Sequence, residues 1–320
     1  MDNTVISEAK SNGVTKGGAR IVVDGDVEAL SPTDLSEVLF EGTKESHDRA
    51  ENCQFVKDFL RGRIQRELFK RGTAALYFVY SAMEEEIEKN RDHPHIAPIY
   101  FPTELHRRDA LARDLEYFYG ENWDSEISLT AGTKPYVDRI HEVGETDPLL
   151  LVAHSYTRYM GDLSGGQILK KVAQRALKLP TTGEGLNFYQ FEGIHNHSGF
   201  KQLYRSRMNE LELDVEMRQR IVDESNRAFG FNMMVFTELE EIGSTIKEDI
   251  QDAGPGHSHA EIMERDDINK CPYYAAKMAA SGNPTHACNL LMMLLRHPPC
   301  QVALATCIAV LAGCASWYFV

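Results

Sequence analysis

Cysteine and positive charge are scarce in this sequence, and each shortage argues against a class of protein. Lysine and arginine together number 34, against 48 aspartates and glutamates, which gives a net charge of −14. Nucleic acid is therefore not expected as the main partner, because neutralising phosphates needs a basic face. The six cysteines have no spacing typical of a disulfide framework or a zinc site. They are Cys53, Cys271, Cys288, Cys300, Cys307 and Cys314.

The N-terminus lacks the apolar segment of a secretory signal peptide, since residues 1–18 are mostly polar. The C-terminus is the opposite, because residues 302–320 are nineteen residues without a charge that end in Trp317-Tyr318-Phe319. About twenty apolar residues span a bilayer as a helix, and aromatic residues favour its interface. We expect a transmembrane tail anchor over residues 301–320 that leaves the body in the cytosol; a buried terminal core helix is the alternative.

The chain between its two ends divides into a helical body and a polar tether. We predict a disordered polar tail over residues 1–30 and an all-α body of seven to nine helices over residues 31–243. Residues 244–300 mix histidine, proline and small polar residues without a sustained period, which is typical of a flexible tether. Asp34 with Glu37 predicts a capping pair at the first helix. The further helical windows are 54–68, 71–90, 104–118, 133–144, 147–176, 198–213 and 216–242.

Three glycines interrupt the window over residues 147–176. Gly161, Gly165 and Gly166 each cost roughly 0.5–1 kcal/mol relative to alanine inside a helix, so some feature must require them. Gly161 and Gly165 share a face and could admit a neighbouring helix, as in membrane dimers or in simple helix packing. Alternatively, the bare backbone lies against a flat ligand and the helix bends there. Asp162 between them could deliver protons or be a solvated surface acid; the spacing alone leaves these alternatives open.

The same stretch, AHSYTRYMGDLSGGQ over residues 153–167, resembles the signature of the heme oxygenases. Further similar segments are GTKESH over residues 42–47, IAPIYFP over 96–102 and FKQLYRSR over 200–207. The resemblance covers about residues 34–243. It implies one all-α domain that holds heme between a proximal and a distal helix and opens the ring at the α-meso carbon. The products would be biliverdin, carbon monoxide and ferrous iron.

On this resemblance, His47 is the proximal ligand of the heme iron. Glu51 lies four residues later and so beside it on one helix. A carboxylate partner on the other ring nitrogen, direct or through water, would set the tautomer and the basicity of the ligand. Nothing in the spacing alone singles out His47 among the twelve histidines.

Asp162 becomes the distal carboxylate, which would hold a water network beside the iron without binding it. Tyr80, Arg158 and Asn232 match positions that support this network in relatives, and Gly161 and Gly165 provide the bare backbone. Each polar residue taken singly is also consistent with an ordinary buried side chain that has a partner.

The two heme propionates would be held by Lys44, Tyr156, Lys201 and Arg205. Phe40 stands where relatives usually carry lysine, so one such contact is missing. Phe229 and Phe236, with Phe59, match apolar walls of the heme site, although core packing is their default interpretation.

Oxygen and electrons complete the implied reaction. No flavin or nicotinamide motif is visible, so the resemblance implies electrons from NADPH through the NADPH–cytochrome reductase of the endoplasmic reticulum. A basic face could bind that acidic partner, or could simply be solvated. The residues of this face are Lys170, Lys171, Arg175 and Arg207. Biliverdin reductase is the expected downstream partner.

The extended N-terminus, the late cysteines and the apolar end resemble the constitutive, tail-anchored type of the family. That type carries Cys-Pro motifs for regulatory heme or redox sensing, and Cys271-Pro272-Tyr273-Tyr274 fits one. Two other classes stay open: a heme sensor or carrier that never opens the ring, and a tail-anchored helical adaptor. Asp162 favours the enzyme, because a carrier needs no proton-delivering carboxylate.

Overall fold

A computed structural model of the chain describes residues 20–23, 26–29 and 34–246. The predicted anchor at 301–320, the tether from residue 247 onward with Cys271, and most of the N-terminal tail lie outside these residues. The last helix of the body continues to Thr245, two residues past the predicted boundary at 243. Within the described residues, no helix combines the length and the apolar character needed to cross a bilayer.

The body between residues 34 and 246 is entirely helical, as the sequence predicts. Eleven α-helices are described, two more than the seven to nine predicted, and two of the eleven are single turns. Three short 3-10 turns lie at residues 97–99, 148–150 and 187–189. The helices are α1 Leu35–Asn52, α2 Gln54–Leu60, α3 Arg66–Lys89, α4 Pro102–Leu105, α5 Arg108–Tyr119, α6 Trp123–Glu126, α7 Lys134–Thr146, α8 Leu151–Asp162, α9 Gly165–Ala176, α10 His197–Asn209 and α11 Val215–Thr245.

Two helix boundaries differ from the sequence expectation. The single window predicted over residues 54–68 is wrong, because Gly62 has a φ of +74° and separates α2 from α3. Glycine adopts this left-handed conformation without the strain that a side chain would cause. Asp34 does precede α1, but its side chain makes no capping hydrogen bond, so the predicted capping pair with Glu37 is also wrong. Side-chain caps occur instead at Asn196 before α10 and Asp214 before α11.

A two-stranded antiparallel hairpin, β1 Arg20–Val23 and β2 Asp26–Ala29, differs from the irregular tail predicted over residues 1–30. The sequence does contain its cause, since Asp24-Gly25 follows the β-branched run Ile21-Val22-Val23. An Asp-Gly pair between two extended segments favours a tight hairpin turn.

Helix α3 lies at the centre of the body and packs against α5, α7, α8 and α11. Its buried side chains include Val79, Tyr80 and Met83, which are almost fully excluded from solvent. Helix α11 packs along both α1 and α8. A Cβ atom at Gly42 of α1 would lie 2.5 Å from Val222 Cγ1, so the bare glycine is what allows α1 and α11 to approach so closely. Helix α11 therefore fixes the position of α1 relative to α8.

Candidate functional site

The helix break at the three glycines is the centre of the site. Helix α8 ends at Asp162, α9 begins at Gly165, and Ser164 between them has φ −117° and ψ −94°, outside helical geometry. The Gln167 side chain donates to the carbonyl oxygens of Asp162 at 3.1 Å and Tyr189 at 3.0 Å. It thus satisfies a carbonyl that the break leaves without its helical partner. The predicted bend is confirmed, and the window over 147–176 forms two helices.

The space in front of the glycines decides between the alternatives that the sequence leaves open. A Cβ atom at Gly161 or Gly165 would meet no heavy atom within 4 Å. Close packing against another described helix is therefore not the reason for either glycine. Gly166 differs, since its Cβ would contact Tyr189 at 3.6 Å. Gly161 and Gly165 leave an open backbone surface beside Asp162, which is what a flat ligand requires.

Asp162 lies at this surface within a connected set of polar side chains. The Tyr80 hydroxyl donates to Asp162 Oδ2, and Arg158 Nε donates to the Tyr80 oxygen at 3.1 Å. Arg158 Nη1 also donates to Asn232 Oδ1 at 2.6 Å, and its guanidinium lies 5.1 Å from the Tyr80 ring centroid. Arginine can only donate, so the Tyr80 oxygen accepts from it and the Tyr80 proton is directed to Asp162. The structure brings together the four residues predicted for the network.

Burial changes the protonation of this network. The Asp162 side chain is largely excluded from solvent, at 7% exposure, and burial raises the pKa of its carboxyl group, although the charge of Arg158 and the hydrogen bond from Tyr80 oppose the shift. Burial also raises the pKa of Tyr80 well above its ordinary value, so Tyr80 keeps its proton. Asp162 therefore holds a proton more readily than an exposed aspartate does.

His47 lies on α1 and presents one edge of its ring to the outside. Its side chain is 36% exposed, while its Nδ1 atom is buried. Nδ1 lies 3.9 Å from Glu51 Oε2, too far for a direct hydrogen bond but close enough for the carboxylate to act on the ring by its charge. The Phe229 ring contacts the imidazole edge-on, with 5.9 Å between centroids. An imidazole held in this way can ligate a metal through Nε2.

Helix α11 joins His47 to the Asp162 network. Phe229, which contacts His47, and Asn232, which binds Arg158, are three residues apart and therefore neighbours on one side of this helix. Gly230 lies between them, and a Cβ there would meet nothing within 4 Å. A partly exposed imidazole, an apolar wall and an open backbone surface with a protonatable acid fit the heme that the resemblance implies.

The cationic residues predicted for the propionates are placed unequally. Lys201 is buried on α10 and donates to Ser164 Oγ at 2.8 Å, so it lies at the helix break itself. Arg205 is half-buried one turn later on α10, Tyr156 is half-buried on α8, and Lys44 is exposed on α1. Lys201 therefore links α10 to the break, and the propionate roles of all four residues stay predictions.

The aromatic residues separate into two groups. Phe236 stacks on Phe55 at 5.1 Å between centroids, and the buried Phe59 packs against Phe55 at 6.3 Å and Phe69 at 6.1 Å. Phe229 lies instead on the His47 ring. Core packing therefore explains Phe59 and Phe236 directly, while Phe229 is the aromatic residue at the candidate iron ligand.

Two polar residues near the network have no signal in the sequence. Tyr136 is fully buried with no hydrogen-bond partner for its hydroxyl among the described residues, and burial raises its pKa to about 12, with the charges of Arg158 and Asp162 also acting on it. Burial raises the pKa of Glu84 to about 7, and Tyr159 donates to it at 3.2 Å. Glu84 opens a run of three glutamates, a pattern that gives no hint of burial.

Comparisons with known proteins agree with this geometry. The heme oxygenase family model matches residues 33–238. Heme oxygenase 2 of Rattus norvegicus is 55% identical over 289 residues, which are 89% of this chain and 90% of the relative. Heme oxygenase 1 of Gallus gallus is 56% identical over 237 residues, or 74% of this chain and 79% of the relative. The solved structure of heme oxygenase-1 from Synechocystis in complex with heme has a TM-score of 0.63 at 51% identity, covering 65% of this chain and 93% of that one.

Proposed function

The chain belongs to the heme oxygenase family and is an enzyme that degrades heme, and from that premise we propose how its residues divide the work. His47 would hold the heme iron, and Asp162 would supply protons to the bound substrate. When bound, heme supplies the iron at which oxygen is reduced and is itself the substrate whose α-meso carbon is attacked. The observation that carries the proposal is the hydrogen-bonded set of Tyr80, Arg158 and Asp162 beside two glycines with open space in front of them.

Each member of the network has a separate task. Arg158 fixes the Tyr80 oxygen as an acceptor, so that the Tyr80 proton is directed to Asp162 Oδ2. This leaves Oδ1 of Asp162 for water and for the bound substrate. Because burial favours the protonated carboxyl, Asp162 can both hold a proton and pass it through water to the reacting face. Gly161 and Gly165 keep that face free of side chains.

Electrons come from outside, and we propose NADPH through the NADPH–cytochrome reductase as their source. Lys170, Lys171 and Arg175 lie on α9, directly after the helix break, and the latter two are exposed. A basic surface there suits an acidic partner. Arg207 on α10 contributes less, because Glu210 lies 3.3 Å from its guanidinium. Biliverdin reductase would consume the product.

One assay tests the reaction and its electron source together. Hemin, the reductase and NADPH are added to the full chain, and the Soret band is followed. We expect the band to decay with rising bilin absorbance, and to persist when the reductase is left out. A Soret band that survives with every component present would indicate a carrier, and no Soret band at all would indicate an adaptor.

Localisation at the endoplasmic reticulum membrane is a proposal from residues 302–320, which lie outside the described part of the chain. Nineteen uncharged residues match the thickness of a bilayer core. We expect the full chain to stay in the membrane fraction after alkaline carbonate extraction, and a chain that ends at Pro299 to move to the soluble fraction. Recovery of the full chain in the soluble fraction would contradict the proposed membrane anchor.

Cys271 also lies outside the described residues, and we propose it as a regulatory heme or redox site. The support is its Cys-Pro-Tyr-Tyr sequence. Replacing Cys271 with alanine should abolish the redox dependence of heme binding by the tether while heme degradation continues. An identical redox response in the variant would eliminate this role.

A further inference from the structure

A second cluster of ionisable side chains lies between α3 and α7 and does not include the Asp162 network. Glu85, Glu86 and Lys89 belong to α3, and His141 belongs to α7. His141 Nδ1 lies 2.6 Å from Glu86 Oε1. Lys89 Nζ lies 2.8 Å from Oε1 of both glutamates. The cluster thus joins α3 to α7. The side chains of Glu85, Glu86 and His141 can each ligate a metal ion, and Lys89 supplies positive charge.

Glu86 is the unusual member because it is buried. Its side chain is only 1% exposed, and it fits because Gly144 on α7 has no Cβ atom, which would otherwise collide with the carboxyl group. Oε1 has two partners, but Oε2 is buried without a hydrogen-bond partner among the described residues. A buried polar atom left unpaired loses the hydrogen bonds that it would make to water in the unfolded chain, and this destabilises the fold. A carboxylate oxygen in this state indicates a ligand that gives it a partner.

We propose that Glu85, Glu86 and His141 form a binding site for a divalent first-row metal ion such as Zn²⁺. One imidazole nitrogen and two carboxylates are a donor set that such ions accept. The three ligand atoms lie within 4.8 Å of one another. Ligands on a tetrahedral ion with bonds of about 2.1 Å are separated by about 3.4 Å, so small side-chain rotations close the site. Bidentate binding by Glu86 pairs its Oε2 atom, and water completes the coordination.

Lys89 would compete with a metal ion for the two glutamates. Its positive charge also allows the two carboxylates to lie close together in the absence of metal. Its ammonium group neutralises part of the charge of Glu85 and Glu86, and Arg108 also acts on Glu85. The Lys89 side chain is 52% exposed, so it can leave for solvent when a metal ion binds. An ion of charge +2 then balances the two carboxylates with His141 neutral. Removing Lys89 should therefore strengthen metal binding.

The ion would connect α3 to α7, because two ligands come from one helix and one from the other. A ligand that binds only the folded state raises the melting temperature, and the stabilisation grows with the logarithm of the ligand concentration divided by its dissociation constant. None of the three ligands touches Tyr80, Arg158 or Asp162 in the hydrogen bonds described above, so heme degradation should continue without the metal.

Zinc titration of the heme-loaded full chain tests the site, with the cysteines alkylated so that thiolates do not compete. We expect His141→Gln and Glu85→Gln each to bind one Zn²⁺ fewer than the unchanged chain. Lys89→Met should bind Zn²⁺ about tenfold more tightly, a ratio that corresponds to 1.4 kcal/mol. His195→Gln is the matched control, since His195 is an exposed histidine elsewhere on the body, and it should titrate like the unchanged chain.

Circular dichroism melting without metal shows which variants are folded, and Zn²⁺ should raise the melting temperature of Lys89→Met but not of His141→Gln. Because Glu85 is half exposed, Glu85→Gln should fold and decides the question even if His141→Gln does not. Unchanged stoichiometry in the folded ligand variants overturns the site. So does equal zinc affinity in Lys89→Met and the unchanged chain.

Discussion

Replacing Asp162 with asparagine is expected to lower the rate of heme degradation by about 10²–10⁴-fold, the usual contribution of a positioned proton donor, while heme stays bound. Asparagine has the size of aspartate and can still accept from Tyr80, so the helix break and the open glycine surface persist. Only the transferable proton is lost. The rate is measured as Soret decay with NADPH and the reductase, and binding as the Soret titration with hemin.

The same variant should be as stable as the unchanged chain, or more so. Burial raises the pKa of Asp162, so the folded protein binds this proton more tightly than the unfolded chain does. The stabilisation that protonation provides is therefore lost as the pH rises from about 4, the ordinary carboxyl value, through the raised pKa. Asparagine does not titrate. The melting temperature of Asp162→Asn should therefore rise relative to that of the unchanged chain as the pH increases over this range.

Asp114→Asn is the matched control for Asp162. Asp114 is also a buried aspartate, but it accepts hydrogen bonds from the backbone of Asn187 and Phe188 at 2.8 Å. Its replacement should lower the melting temperature and leave the activity of the folded fraction near normal. Equal losses of activity in both variants would mean that Asp162 acts through stability, and would contradict its role as proton donor.

Replacing His47 with alanine is the second large effect that we expect. Activity should fall by more than about 100-fold, since even the partners of a ligating histidine contribute roughly 10–100-fold. Because the His47 side chain is 36% exposed, added imidazole should enter the space that it leaves, restore the Soret position and recover part of the activity. Electronic absorption of the ferric and ferrous complexes, with and without imidazole, measures the ligand directly.

His195→Ala serves as the control for His47, because it removes an exposed histidine and should change neither the spectrum nor the rate. Full activity of His47→Ala without imidazole would place the iron ligand elsewhere. Loss of activity that imidazole does not restore, together with an unchanged Soret spectrum, would give His47 a structural role only.

Local patterns in the sequence predict much of the fold but not its caps or its N-terminal hairpin. Helical periodicity indicates the all-α body, and the glycine run indicates the break between α8 and α9, because glycine is costly wherever a helix does not need it. Asp34 lies at the predicted start of α1, but whether its side chain caps depends on rotamers that the sequence does not encode. The Asp24-Gly25 pair was a usable hairpin signal that the polar composition around it obscures.

The candidate site is also predictable from the sequence only in part. The resemblance to heme oxygenases selects His47 and Asp162, and the structure adds their surroundings: a partly exposed imidazole against Phe229, and a buried carboxyl group bound to Tyr80. The open space at Gly161 and Gly165 could be found only in three dimensions, since four-residue spacing suits helix packing equally well. Tyr136, Glu84 and Glu86 become buried through contacts between distant helices, which no local pattern specifies.

The most direct test of the central claim is a crystal structure of the heme complex of this chain. We expect the iron bound to Nε2 of His47, and the opposite face of the ring against the backbone of Gly161 and Gly165, with water linking the iron's free position to Asp162. Heme bound away from the glycines, or iron held by any other side chain, would contradict it.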